Sequence, residues 1–257
     1  MNGARRTLTV AFCCVFAALL VGAAGAHAQS IEDQVASVRD GQVRMTYAAK
    51  EGVCGNGRNI SMSRSNEDWE SGCEHGPVRV ALDVERGRVV EVDTYVGGRW
   101  RERSGVTDLG EVAPQDAADY LLSLAATLDN EAGEDAIFPA MIADEVVVWP
   151  AVLDIAKDDS RPSDIRKSAT FWLSQAAGNA AIEGLEELAE DEGGDFEVRK
   201  SAVFALSQLD NEEGVPSLIR VARTSPDPRI RKNAIFWLGQ SEDPRAIALF
   251  EEILTTP

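Results

Sequence analysis

Three near-copies of one short sequence constrain this chain more than any other feature. They are IRKSATFWLSQ at Ile165–Gln175, VRKSAVFALSQ at Val198–Gln208 and IRKNAIFWLGQ at Ile230–Gln240. The copies begin 33 and 32 residues apart. Self-similarity at a fixed period of this size is typical of stacked repeat arrays. Such arrays present surfaces to partners, so the copies predict an architecture and a general kind of function.

The residues around the copies predict helices. Apolar and small side chains recur at helical spacing within each copy, which predicts a core face that includes Trp172 and Trp237. Ser163, Asp195 and Asp227 are of the types that favour helix N-caps, and they are predicted to begin the three first helices. The predicted pairs are about 163–177 with 179–191, 196–209 with 212–225, and 228–240 with 243–255. Three helices precede them at about 116–128, 134–143 and 146–157.

The repeated pattern resembles a known family. Asp-x-x-(Ile/Val)-Arg-x-x-Ala-x-x-x-Leu-x-Gln, followed by a second apolar helix, resembles HEAT repeats, and the short period resembles their phycobilisome-lyase-like subclass. The resemblance covers about residues 145–257 well, 106–145 loosely, and the N-terminal part not at all. Pro162 stands where the later copies have Asp195 and Asp227. The resemblance implies an α-α superhelical solenoid that binds or scaffolds another protein.

Two surfaces of the array are candidate partner-binding sites. One is a line beside the core stripe of the first helices, made of Lys167, Phe171, Gln175, Lys200, Phe204, Gln208, Lys232, Phe236 and Gln240. A ridge of this kind suits an extended peptide, although phenylalanines at this place could instead fill the seams between repeats. The other surface is the polar side of the second helices, with Glu183, Glu186, Glu187, Arg220 and Arg223. Its alternative interpretation is a solvated charged face. The last helix, 244–254, is expected to be a polar cap because it carries Glu251 and Glu252.

Residues 29–105 predict a small antiparallel β domain. Val43, Met45 and Tyr47 alternate with polar residues, and two further alternating runs at 78–84 and 90–96 flank a Gly-containing turn, which predicts a hairpin. A sheet of this size is marginal unless it is stapled or docked. Cys54 and Cys73 are therefore expected to form a disulfide. The predicted fold class is α+β, with a helical repeat domain at 106–257.

The first 28 residues predict a signal peptide. Arg5 and Arg6 precede an apolar run at 8–21, and Ala26-His27-Ala28 forms a cleavage site, so Gln29 is expected to begin the mature protein. The run of about 14 residues is shorter than the roughly 20 of a membrane span, although a retained anchor is the alternative. The protein is expected to be periplasmic or secreted, with no membrane insertion after cleavage.

The charge of the chain narrows the class of partner. The formal net charge is −18, and residues 106–257 hold 30 acidic against 12 basic side chains. An acidic field repels phosphate backbones and anionic headgroups. The sequence therefore predicts neither nucleic acid nor a membrane surface as a partner, and it favours a basic protein.

The sequence offers little for catalysis. Some HEAT-like enzymes hold iron through His-Glu pairs, but this chain has no His-Glu dipeptide and only His75 beyond the predicted signal peptide. A glycine-rich phosphate loop is absent as well. We therefore predict no catalytic residue, cofactor or metal. The alternative is an enzyme or small-ligand site around Arg58, Asn59, Trp69, Glu70 and His75, next to the Cys54–Cys73 loop, with the repeats as support.

Overall fold

A computed structural model shows a small sheet followed by two rows of packed helices. It describes residues 29–62, 73–175, 179–209 and 213–255, without the side chains of 179–181. The predicted signal peptide and Trp69 and Glu70 lie outside the described residues. The strands are β1 Gly41–Tyr47, β2 Cys54–Asn56, β3 Asn59–Ser61, β4 Val78–Glu85, β5 Arg88–Val96 and β6 Val106–Glu111. The helices are α1 Ile31–Ala36, α2 Pro114–Thr127, α3 Glu131–Asp135, α4 Ile137–Met141, α5 Trp149–Lys157, α6 Ser163–Ser174, α7 Asn179–Glu190, α8 Phe196–Ser207, α9 Val215–Thr224, α10 Pro228–Leu238 and α11 Pro244–Thr255.

The main sheet has the strand order β5-β4-β1-β6. The predicted β4–β5 hairpin is confirmed, and β1 pairs antiparallel with β4. β6 was missed: it pairs in parallel with β1, so the sheet is not purely antiparallel, and residues 106–111 belong to the sheet. The residues of β6 are mostly polar and exposed, and Gly110 at φ 72° accompanies a shift of register, so this strand lacks a clean alternation. The helix predicted at about 116–128 is α2, which begins at Pro114.

One face of the sheet is docked on the helices. Val43, Met45 and Tyr47 of β1 are fully buried, as their alternation predicted. The Tyr47 hydroxyl donates a hydrogen bond to the carbonyl of Pro139 in α4, at 2.8 Å. A single cluster of buried side chains runs from the sheet to α11. The sheet therefore covers the N-terminal end of the helical array, which satisfies the need of a small sheet for a partner surface.

The predicted disulfide is confirmed. Cys54 and Cys73 are bonded, with their Cα atoms 5.4 Å apart. Backbone bridges join Gly55 to Glu74 and Gly57 to Val96, so the β2–β3 hairpin is attached to the end of β5. The bond thus closes a loop at the edge of the main sheet.

The three copies form α6, α8 and α10, which pack side by side, while α5, α7, α9 and α11 form the second row. Asp195 and Asp227 are N-caps as predicted, and their carboxylates accept hydrogen bonds from backbone N–H groups of the first turn. The cap predicted at Ser163 is wrong. Pro162 holds that place in an extended conformation without a side-chain hydrogen bond, and Ser163 is already helical.

Two helix predictions need correction. The helix predicted at 134–143 is two short helices, α3 and α4, which meet at Ala136. The polar cap predicted for the last helix is wrong as well, because Ile247 and Leu254 of α11 are 54% and 85% exposed. Glu251 and Glu252 had suggested a polar surface, but the apolar residues of this helix occupy more of its circumference than one face can bury.

Candidate functional site

The predicted Lys-Phe-Gln ridge lies on the first helices. Phe171 is 39% exposed and Phe236 is 55% exposed, whereas Phe204 is partly buried. The glutamines that end the three lines, Gln175, Gln208 and Gln240, are all exposed. The alternative interpretation, in which the phenylalanines fill the seams between repeats, therefore holds only for Phe204. The rings of Phe171 and Phe236 are accessible to a partner.

Aromatic pairs close the contact between α4 and α6 and the contact between α8 and α10. Trp172 of α6 stacks on Phe138 of α4 with ring centroids 4.9 Å apart. Trp237 of α10 packs on Phe204 of α8 at 5.0 Å. The sequence placed both tryptophans on the core face, but they are only partly buried. They lie at the edge of the buried stripe, on the side of the preceding helix, where an indole spans the seam.

The seam between α6 and α8 lacks such a pair. Ala205 occupies the position that Trp172 and Trp237 hold in the other copies, and it is fully buried. Phe171 therefore lacks the tryptophan of the next helix that covers its counterpart Phe204. It lies edge-on to Trp172 of its own helix, with centroids 5.0 Å apart. The exposure of Phe171 follows from this one difference between the copies.

The lysines of the ridge differ in their neighbours. Lys167 forms an ion pair with Asp164 at 2.6 Å, and this hydrogen bond raises the pKa of the ammonium group. Lys200 forms the equivalent pair with Glu197 at 3.2 Å. The last copy departs from this pattern, because Arg229 replaces the acidic residue three positions before Lys232.

The charged side chains of the second helices form a ladder between neighbouring repeats. The pairs join each helix of this row to the next, over α5, α7, α9 and α11: Lys157 with Glu187, Glu190 with Arg220, and Arg223 with Glu252. Arg220 also lies 2.8 Å from Glu186, which in turn accepts a hydrogen bond from Ser217. Glu183 is exposed. Four of the five predicted binding residues on this surface are thus already engaged with the protein itself.

Sequence reasoning missed the role of the arginine in the second position of each copy. Arg166 and Arg199 are 5% and 4% exposed, and each donates a hydrogen bond from Nε to a carbonyl ten residues earlier, near the end of the preceding helix. The guanidinium of Arg199 also donates to the Ser225 hydroxyl, at 3.4 Å. The sequence did contain a pattern that could have indicated this role, since an arginine follows the first buried residue in all three copies.

The alternative site near the disulfide is only partly assembled. Arg58 reaches Asp93 at 2.6 Å and the hydroxyl of Tyr95 at 3.3 Å. Burial, as the largest cause, raises the pKa of Tyr95. Asn59 and His75 are exposed. Arg58 is therefore engaged with two side chains of β5, Asp93 and Tyr95.

Two cavities lie away from that region. One, of about 150 Å³, lies at the ends of α8 and α10 and is lined by Gln208, Trp237 and Gln240 among others. The other, of about 490 Å³, separates α1 from α2 and is lined in part by Glu32 and Tyr120. Burial, and secondly the charge of Glu32, raises the pKa of Tyr120. Neither cavity contains Arg58, Asn59 or His75.

Residues 29–62, 73–175, 179–209 and 213–255 carry the side chains in which a metal site or a membrane span could be recognised. These residues contain no group of three or more His, Cys, Asp or Glu side chains placed to hold a metal ion. None of the helices described in these ranges has the length and apolarity needed to cross a membrane.

Comparison with known proteins supports the repeat assignment. Residues 182–257 match the family model of HEAT repeats. The match begins in α7 and includes the second and third copies, and the structure stacks α6, from the first copy, in the same row. No curated protein matches the chain.

Proposed function

Because the C-terminal helices of this chain are HEAT repeats, which generally mediate interactions between proteins, we propose that it is a non-catalytic protein that binds a partner protein through its first helices. The proposed contact is centred on Phe171, with Lys167, Gln175 and Lys200 around it. The observation that carries this proposal is the exposure of the Phe171 ring, 39%, within a row where its counterpart Phe204 is covered by a tryptophan.

The contacts already present on the two candidate surfaces favour the first helices as the site of partner binding. On the second helices, the charged groups already form pairs between repeats, so a partner would have to compete with those pairs. On the first helices, an aromatic ring is exposed among flexible polar side chains, and binding energy is concentrated at such anchors.

The composition suggests the chemistry of the partner. An apolar side chain of the partner would cover Phe171, and basic groups around it would meet the acidic field of the helical half, which has 30 acidic and 12 basic side chains. The proposed partner is thus a basic protein with an exposed apolar anchor. No cofactor is required for this role.

The proposal includes export. The charged, apolar and small-residue segments of the first 28 residues favour a signal peptide, and the disulfide suits an oxidising compartment. The proposed location is the periplasm or the exterior of the cell. Fractionation of cells that produce the full chain, followed by determination of the first residue, is expected to yield a protein that begins at Gln29. A cytosolic protein that still begins at Met1 would contradict this part.

Binding is tested with the chain from Gln29 to Pro257 as bait for envelope proteins, compared with a Phe171→Ala variant. The ring is already exposed, so the variant is expected to fold normally and to lose at least about tenfold in affinity for the captured protein. Val147→Ala is the matched control, since this apolar side chain is 73% exposed but lies outside the ridge. Equal binding by the Phe171 variant and the control would reject the proposed site.

A further inference from the structure

The last repeat exposes a side that the earlier repeats bury. Thr170, Val203 and Ile235 occupy the same position in the three copies. Thr170 and Val203 are fully buried, whereas Ile235 is 37% exposed. The packing of α6 on α8 and of α8 on α10 explains this difference, because no helix described in residues 29–255 packs on the far side of α10 in this row. The position is built to be covered by the next repeat.

The direction of Ile235 supports this interpretation. Trp237 faces α8, where it packs on Phe204. Residues two apart on a helix point about 200° apart. Ile235 therefore faces away from α8, along the axis of the array and past its final repeat.

The second helix of the last repeat continues the same apolar side. Glu252 faces α9, since it pairs with Arg223. Leu254 is two residues further and therefore points away from α9, and Ile247 lies on the same side, seven residues before it. Their exposed fractions are 85% and 54%. We call Ile235, Ile247, the partly buried Phe250 and Leu254 the end face.

The end face has a positive and a negative edge. Lys167 and Lys200 each pair with an acidic residue of their own helix, but Lys232 follows Arg229 at that spacing, and within the described chain no carboxylate forms an ion pair with it. Glu251 is exposed on α11 and has no ion pair among the described residues. The face thus carries an unmatched cation on α10 and an unmatched anion on α11.

We propose that the end face binds the end face of a second copy of this chain about a two-fold axis parallel to the helices. This symmetry places α10 of each copy against α11 of the other, so Lys232 of one copy meets Glu251 of the other, and the apolar residues lie between these pairs. The contact covers, between two chains, the side that the next repeat covers within one chain. A two-fold contact is closed, so the expected product is a dimer rather than a filament.

The test is the mass of the purified chain in solution, measured by sedimentation over a range of concentrations. The chain is expected to be a dimer that dissociates on dilution. The double variant Ile247→Asp, Leu254→Asp changes only exposed side chains and is expected to raise the dissociation constant by at least about tenfold. Val147→Asp is the control for an added charge at an exposed apolar position, and it should leave the dimer intact.

Charge exchange tests the symmetry. Lys232→Glu and Glu251→Lys are each expected to weaken the dimer, and the two changes together are expected to restore it, because the pair is then reformed with opposite signs. A chain that stays monomeric at all concentrations would overturn the proposal, and so would a dimer that the Asp double variant does not weaken. Phe171→Ala should leave the dimer unchanged, so this proposal and the partner-binding proposal can fail separately.

Discussion

The guanidinium of Arg166 donates a hydrogen bond to the backbone carbonyl of Ala156, 3.1 Å away at the end of α5. Arg199 makes the same contact with Ala189 near the end of α7. The last carbonyls of a helix have no partner within the helix, and a buried arginine supplies one. The repeated arginine therefore fastens each first helix to the end of the helix before it.

Replacement of Arg199 by methionine is expected to destabilise the array. The change keeps most of the apolar stem but leaves the Ala189 carbonyl and the Ser225 hydroxyl without their donor, and an unpaired buried group costs about 1–3 kcal/mol. Urea unfolding followed by circular dichroism gives the difference. Lys200→Met, at the next and exposed position, is the control, and an equal effect of the two variants would contradict the role given to Arg199.

Tyr47 is expected to make the protein sensitive to alkali. Burial raises the pKa of its phenol well above 10, whereas the unfolded phenol titrates near 10. Below pH 10 both states keep the proton, so the contribution of the buried phenol is complete. As the pH rises above 10, the unfolded state loses its proton first, and the free energy of unfolding falls by up to about 1.4 kcal/mol per pH unit.

The measurement is the free energy of unfolding between pH 8 and 11 for the natural chain and for Tyr47→Phe. At pH 8 the variant is expected to be less stable by about 1–3 kcal/mol, because the Pro139 carbonyl loses its donor. Above pH 10 its stability should fall less steeply with pH. Parallel slopes for the two proteins would show that Tyr47 does not titrate on unfolding.

The Cys54–Cys73 bond is expected to stabilise the folded chain by about 3 kcal/mol, the chain-entropy value for a loop of this length. Reductant should lower the midpoint of urea unfolding accordingly. A Cys54→Ser, Cys73→Ser variant should unfold at the midpoint of the reduced natural chain and show no further response to reductant. A midpoint that reductant leaves unchanged would mean that the sheet is held by its docking alone.

Arg220 tests the ladder of the second helices, because it lies between Glu186 and Glu190. Arg220→Glu would bring three carboxylates together, and we expect a loss of about 1 kcal/mol, the scale of exposed pairs, that shrinks at high salt. Adding Glu190→Arg should recover part of it. If the double variant is no more stable than Arg220→Glu alone, the pair does not contribute to stability.

The period of the three copies was enough to predict the stacked helices, because a fixed repeat places the same residue at the same contact. The β6 strand escaped prediction, since Thr107, Asp108 and Glu111 give it no apolar alternation and only β1 defines it. The charge ladder escaped as well. The two residues of each ion pair lie about 30 residues apart, on neighbouring helices. The spacing of residues within one helix cannot predict such pairs.

The ridge shows the same limit at the candidate site. Its nine residues were recognised from their spacing, but the spacing is identical for Phe171 and Phe204, and only one of these rings is covered by a tryptophan of the next repeat. The difference in exposure between Phe171 and Phe204 arises from Ala205, and alanine is an ordinary residue type on the core face of a helix. Exposure therefore depended on a contact between copies rather than on the pattern within any one of them.

Ala205→Trp joins this packing argument to function. The position accepts tryptophan in the other two copies, and an indole there would cover Phe171 as Trp237 covers Phe204. Ala205 is fully buried, so the larger side chain is expected to cost about 1–3 kcal/mol of stability through overpacking, while the chain stays folded. The same variant should lose the captured partner, although Phe171 itself is unchanged. Partner binding at natural affinity by a folded Ala205→Trp protein would show that the partner does not contact the α6–α8 seam.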